Sequence, residues 1–151
     1  KKGREEKNAV GTLTIWFSEE AEKAWVPAHT GKRGRQRKYS TLAIEMALTL
    51  RELYSLTFRS AEGFVASFLS RLGLKLSAPD HSTLSRRSKG TEPLLRERAV
   101  SGDRHHLVVN GRGVSVYSEL SSKPESGPGD LQGWKKLQLQ VGEAGPVLPP
   151  Q

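Results

Sequence analysis

Cysteine is absent from the 151 residues, which excludes a disulfide framework and any thiolate zinc site and fits a reducing compartment. Histidine is scarce as well. The four side chains, His29, His81, His105 and His106, are too scattered to mark a metal site. Long apolar runs are missing: no window approaches the roughly eighteen apolar residues of a membrane span, and KKGREEKNAV lacks the apolar core of a signal peptide. A soluble cytoplasmic protein with no membrane partner is therefore expected. Acids are the minority charge, 16 Asp+Glu against 24 Lys+Arg, leaving a formal charge of +8 and a pI near 10.0. That excess points to a polyanionic partner, nucleic acid ahead of an anionic membrane. The length suits one ordinary domain or two small ones.

Residues 1–11, KKGREEKNAVG, are charged without apolar periodicity and read as a flexible basic arm. TLTIWF is a short extended piece. Ser18 then caps SEEAEKAW, with Glu19 and Glu20 set favourably against the first-turn dipole, and Pro27 ends it. GKRGRQRK, residues 31–38, holds Lys32, Arg33, Arg35, Arg37 and Lys38 with no acid, and its glycines make it a loop or arm. From Ser40 as N-cap, Leu42, Ala43, Met46, Ala47, Leu50 and Leu53 keep helical spacing. From Thr57, a second helix carries Phe58, Ala61, Phe64, Val65, Phe68, Leu69 and Leu72 on one face, and Gly73 fits its stop.

After a Pro-Asp pair, Asp80 caps a short helix anchored by Leu84, with His81, Ser82, Ser85, Arg86 and Lys89 on its exposed face. Two packed helices, a turn and a short helix with hydroxyls at its start and arginines behind them form the pattern of a helix-turn-helix reader. The candidate DNA-contacting residues are His81, Ser82, Thr83, Ser85, Arg86, Arg87 and Lys89, together with the five cations of residues 31–38. Two plainer accounts stay open. Residues 31–38 can be a solvated basic loop, and the arginines of HSTLSRR can pair with local acids.

Past Gly90 the apolar period changes from 3.6 to 2. LVVN is one strand, Val114 and Val116 mark a second after a GRG turn, and Leu137, Leu139 and Val141 mark a third after a loop rich in Pro, Gly and Ser. Three antiparallel strands are expected. The prolines of GEAGPVLPPQ exclude a central strand there. The fold class is α+β: a flexible arm at 1–11, a mainly helical DNA-binding region at 12–90, a partial sheet at 104–142 and a disordered tail at 143–151. Trp16, Trp25 and Trp134 are read as packing residues.

Six stretches in one order, GTLTIWFSEEA, GRQRKYSTLAIEMALTLREL, FRSAEGF, LKLSAPDHSTLSRRSK, HLVVNGRGVSVYS and WKKLQLQV, resemble the N-terminal portion of bacterial insertion-sequence transposases of the DDE class. That group has a ribonuclease-H-like catalytic domain. The resemblance spans Gly11 to Val141. It implies a helix-turn-helix-like region followed by the first three strands of an incomplete ribonuclease-H-like domain. It implies double-stranded DNA as partner, at the terminal inverted repeats of a mobile element, with self-association or a mixed oligomer with an intact transposase as further possibilities. The family reaction is magnesium-dependent DNA strand cleavage and transfer.

The resemblance places the first catalytic acid at Asn110. Two magnesium ions activating and stabilising oxygens call for anionic oxygen ligands, and an amide keeps the shape of aspartate without its charge. Gly111 and Arg112 stand where the family has Ser-Thr, the loop ESGPGDLQG lacks the family's basic run, and Gly142 replaces a customary aspartate. The remaining two acids would lie beyond these stretches. Hence no metal ligand is assigned, no cofactor is expected for this chain, and catalysis by it alone is not expected. Asn-Gly is also a common hairpin dipeptide, so Asn110 has a turn to make in either case. A DNA-binding regulator or inhibitor of an intact transposase has the same sequence content. A basic RNA-associated protein is the third class, without the RNP-type aromatics or GXXG loop that would mark it.

Overall fold

The computed structural model describes residues 9–90, 104–111, 113–118, 134–142 and 145–147. Strand β1, Ala9–Ser18, buries Leu13, Ile15 and Phe17 on one face. The chain turns at Ser18, whose hydroxyl accepts the Ala21 N–H at 3.1 Å and so starts helix α1, Glu19–Ala24. The same device opens each later helix. Ser40 caps α2, Thr41–Leu53; Thr57 caps α3, Phe58–Arg71; Asp80 caps α4, His81–Ser88. All four caps fall on the hydroxyl or carboxylate residues expected from the sequence. Beyond them come β2, Arg104–Asn110, β3, Gly113–Ser118, β4, Trp134–Gly142, and β5, Gly145–Val147.

The α+β class holds, but the sheet is not three consecutive antiparallel strands. Its order is β3-β2-β1-β4-β5, with β1 in the centre. Strand β1 runs parallel to β2, Thr12 beside Arg104 through Phe17 beside Val109, and antiparallel to β4. Only β2 and β3 form the expected antiparallel hairpin. The apolar run of TLTIWF suits a buried strand, but the strands that pair with its two edges come from distant parts of the chain, which local alternation does not specify. Residues 9–11, expected in the flexible arm, belong to this strand; the rest of the arm lies outside the described residues. Part of the tail is ordered too, as edge strand β5 against β4. Its Pro146 is tolerated there because an edge strand pairs on one side only.

One core joins the sheet to the helices. Leu13, Ile15, Phe17, Leu107, Val109 and Leu139 from the strands pack with Ile44, Met46, Leu50, Phe68 and Leu84 from the helices. The helical part and the strands therefore share one interior. Trp25, fully buried, is its hub: its ring lies 5.8 Å from that of Phe17, its Nε1–H donates to the Ser77 carbonyl at 2.9 Å, and its own carbonyl accepts the Ser40 N–H at 3.0 Å. One residue thus fixes the end of α1, the start of α2 and the approach to α4. Trp16 lies on the opposite face of the sheet, with the Lys136 ammonium 4.9 Å from its ring centre.

Helices α2, α3 and α4 touch one another pairwise. The α3–α4 connection, residues 72–80, is longer than the three or four residues of a helix-turn-helix turn. Helix α4 is held by Leu84, its one buried side chain. Among the described residues, no helix is long and apolar enough to cross a membrane.

Candidate nucleic-acid interface and the Asn110 turn

The basic loop is shaped. The Gln36 amide closes it by donating to Thr30 Oγ1 at 3.3 Å and accepting the Thr30 N–H at 3.5 Å, and Gly31 N–H meets His29 Nδ1 at 3.3 Å. Gly31 and Gly34 have φ of 66° and 114°, which suit glycine and let the chain reverse around the basic tip. Lys32, Arg33, Arg35, Arg37 and Lys38 are all exposed.

Helix α4 begins at a heavily engaged carboxylate. Asp80 accepts from the Thr83 N–H at 3.1 Å, from Thr83 Oγ1 at 2.7 Å and from the Ser82 hydroxyl, and these bonds hold its carboxyl well below the usual carboxylate range. The Asp80 carbonyl adds a further bond by accepting the Leu84 N–H at 3.0 Å. On the neighbouring α3, Glu62 Oε2 accepts the His81 N–H at 2.9 Å and lies 2.8 Å from His81 Nδ1, and the pairing holds Glu62 low as well. Ser82, Thr83 and His81 are thus partly occupied in building the helix start, while Ser85, Arg86 and Lys89 are exposed.

Both carboxyls are depressed in the folded state, so their stabilisation is complete above the ordinary carboxylate range and fades as pH falls through that range and below it. Asp80→Ala is expected to cost about 1 kcal/mol at pH 7. Thermal melts should show the gap between variant and parent narrowing as the pH is lowered below the ordinary carboxylate range.

The arginines of α4 are not paired with acids among the described residues. The ion pairs there are Arg51–Glu52 and His81–Glu62, and Arg86 makes a 3.4 Å contact with Thr83 Oγ1. Arg87 is engaged quite differently: its Nη1 donates to the Tyr39 carbonyl at 2.7 Å, across 48 residues. The bond brings the end of α4 against the base of the basic loop. Burial and the nearby Arg37 guanidinium push the Arg87 pKa down. Local sequence patterns do not single out Tyr39, Glu62 or Gln36: Tyr39 acts through its backbone carbonyl, Glu62 on the start of the next helix, and Gln36 on Thr30 across a loop, none of which a short motif signals.

Asn110 ends β2 in a tight turn. Its Oδ1 accepts the Gly113 N–H at 3.0 Å, and Asn110 and Gly113 are the last cross-strand pair of the hairpin. Asn110 thus serves the turn from the strand end: Asn-Gly is not itself the two-residue loop, because Asn110 is still paired across the hairpin with Gly113. Gly111 lies directly beneath α1: a Cβ built there would sit 3.0 Å from Glu20 Cβ and 3.2 Å from its Oε2. Arg112 and residues 119–133, with the loop ESGPGDLQG, lie outside the described residues. Elsewhere, Glu19, Glu22, Lys23, Leu76, Trp134 and Lys135 line an open groove of about 580 Å³ that carries two acids and two lysines. Such a groove has no bias towards a polyanion.

The donor set around Asn110 does not fit magnesium. Asn110 offers a neutral amide oxygen that already accepts a hydrogen bond, and among the described residues no three His, Asp or Glu side chains are gathered as a metal would require.

The model of the transposase DDE domain matches residues 8–119. The chain belongs to that transposase family. The match runs from the start of β1, through all four helices, to the end of the β2–β3 hairpin, so the helical part and the Asn110 turn lie inside the family's own domain. Intact transposases of this family depend on magnesium. No solved structure matches the chain.

Proposed function

We propose that this chain is a transposase portion that binds the DNA ends of an insertion sequence and does not itself cut them. The observation that carries the DNA-binding reading is the set of cations, in the loop 31–38 and along α4, that have no carboxylate partner among the described residues, in a family whose work is on DNA. Unneutralised clusters of one sign are costly in isolation and suit a ligand that supplies the opposite charge. Arg86, Ser85 and Lys89 project from α4 in the manner of a helix-turn-helix reader on a longer connection, and the loop cations contact phosphates. The β2–β3 hairpin is the start of a ribonuclease-H-like unit, with Asn110 at the position of its first acid. The inactivity follows from that amide, which holds magnesium poorly. Mixed assembly with an intact transposase is the partnership such a chain would enter, and the nucleoid is where it would do so.

The test is a salt titration of binding to a candidate terminal repeat and to a scrambled duplex. Log affinity should fall linearly with log salt for both, because phosphate contacts release counterions. The repeat should keep an advantage at every salt concentration, because base readout survives screening. Equal, weak binding with one slope would reduce the reading to non-specific charge.

A further inference from the structure

Two cationic segments that the sequence keeps far apart meet at one backbone carbonyl. Arg87 donates to the Tyr39 carbonyl at 2.7 Å, immediately after Arg37 and Lys38, and Lys38 Nζ lies 5.4 Å from the Tyr39 ring centre. The Ser40 N–H, one residue on, is held by the Trp25 carbonyl at 3.0 Å. The loop is thus pinned at its base from two sides, by the core through Trp25 and by α4 through Arg87. The Arg37 guanidinium is near enough to Arg87 to disfavour its charge, among the described residues neither is paired with a carboxylate, and the hydrogen bond to the Tyr39 carbonyl works against that repulsion. A guanidinium that is half-buried and already spending a donor on a carbonyl is poorly placed to read a base edge.

We propose that Arg87 is a positioning residue, not a DNA contact: it locks the basic loop 31–38 to the end of α4, so that both segments engage one continuous stretch of duplex backbone. The proposal rests on the DNA-binding reading above and deepens it by dividing labour between adjacent arginines. Arg86, exposed, makes contact; Arg87 sets the loop.

The two roles separate in a mutant cycle read by the salt slope. Arg87→Met keeps the aliphatic stem and removes the donors. If Arg87 were itself a phosphate contact, its removal would lower the slope by about one unit, as Arg86→Met should. As a positioning residue, its removal lowers the slope by more than one unit, because the loop no longer reaches the backbone. Adding Arg35→Gln and Arg37→Gln to Arg87→Met should then have little further effect, although the same pair lowers the slope of the parent by about two. Additive slopes across the cycle would overturn the proposal while leaving DNA binding intact. Failure of the parent to bind duplex DNA at all would instead defeat the reading beneath it.

Hydrogen exchange on the unsubstituted chain keeps the proposal testable should Arg87→Met lose its fold. Added duplex should slow exchange at residues 32–39 and 81–89 together, with the same dependence on DNA concentration. Slowing confined to one of the two segments would refute a continuous surface.

Discussion

Trp25→Ala is expected to destabilise the protein by about 3–5 kcal/mol, the range for removing a large buried aromatic from a core, and to lower Tm by roughly 10 °C. The ring is fully buried against Phe17, so its removal leaves a cavity between β1 and the helices. The indole N–H also satisfies the Ser77 carbonyl, which would be left without that donor. Trp25→Phe separates these effects: most of the packing stays, and breaking the hydrogen bond should cost about 1 kcal/mol. Calorimetry or denaturant melts of the three proteins would check the order, alanine far below phenylalanine and phenylalanine slightly below the parent. Because the indole also holds the approach to α4 through the Ser77 carbonyl, the alanine variant should show raised exchange around residues 77–81 before global unfolding, whereas the Ser40 N–H keeps its partner in the backbone carbonyl of residue 25.

The second large effect is on binding. Neutralising Arg35, Arg37 and Arg86 to glutamine should lower the slope of log affinity against log salt by about three. The repeat and the scrambled duplex should weaken by nearly the same factor, because phosphates carry no sequence information. All three side chains are exposed and none is paired with a carboxylate among the described residues, so folding stability should be little changed. Lys136→Gln is the control. Lys136 is exposed too but sits over Trp16, on the sheet face turned away from the helices, and its neutralisation should leave the slope unaltered. Fluorescence anisotropy on labelled duplexes across a salt series measures both quantities at once.

The contrast between these two predictions shows what is legible in the sequence alone. Local chemistry is readable: Ser18, Ser40, Thr57 and Asp80 each cap a helix because a short oxygen-bearing side chain before an amphipathic run has few other uses. The apolar faces that include Leu50, Phe68 and Leu84 are readable for the same reason, as 3.6-residue periodicity reports a buried stripe wherever that stripe packs. Strand partnership is not. TLTIWF shows that a strand exists, but nothing in that short stretch distinguishes a parallel neighbour far along the chain from an antiparallel one, and the central place of β1 emerges only when β2 and β4 close on either side. The functional surface divides along the same line. The charges of residues 31–38 and of Arg86 are evident, whereas the Arg87–Tyr39 bond joins a side chain to a backbone carbonyl, and any residue type at position 39 could have supplied that carbonyl.

Asn110 is the point at which sequence and geometry meet most closely. The resemblance puts an acid there, and the structure gives the amide a turn to hold through Gly113. An aspartate could make the same bond to that N–H, so the amide preserves the hairpin while lacking the charge that a metal needs. Folding and chemistry are therefore separable at this position.

The most direct measurement follows binding and cleavage in the same reaction: a candidate terminal-repeat duplex, magnesium, and either the parent chain or Asn110→Asp, resolved for shifted complex and for nicked strand. A salt-sensitive shifted complex with the DNA intact is expected in both proteins, since one restored acid does not assemble a two-metal site. Magnesium-dependent nicking that is abolished by chelation, in either protein, would contradict this expectation and place a working active site in this chain.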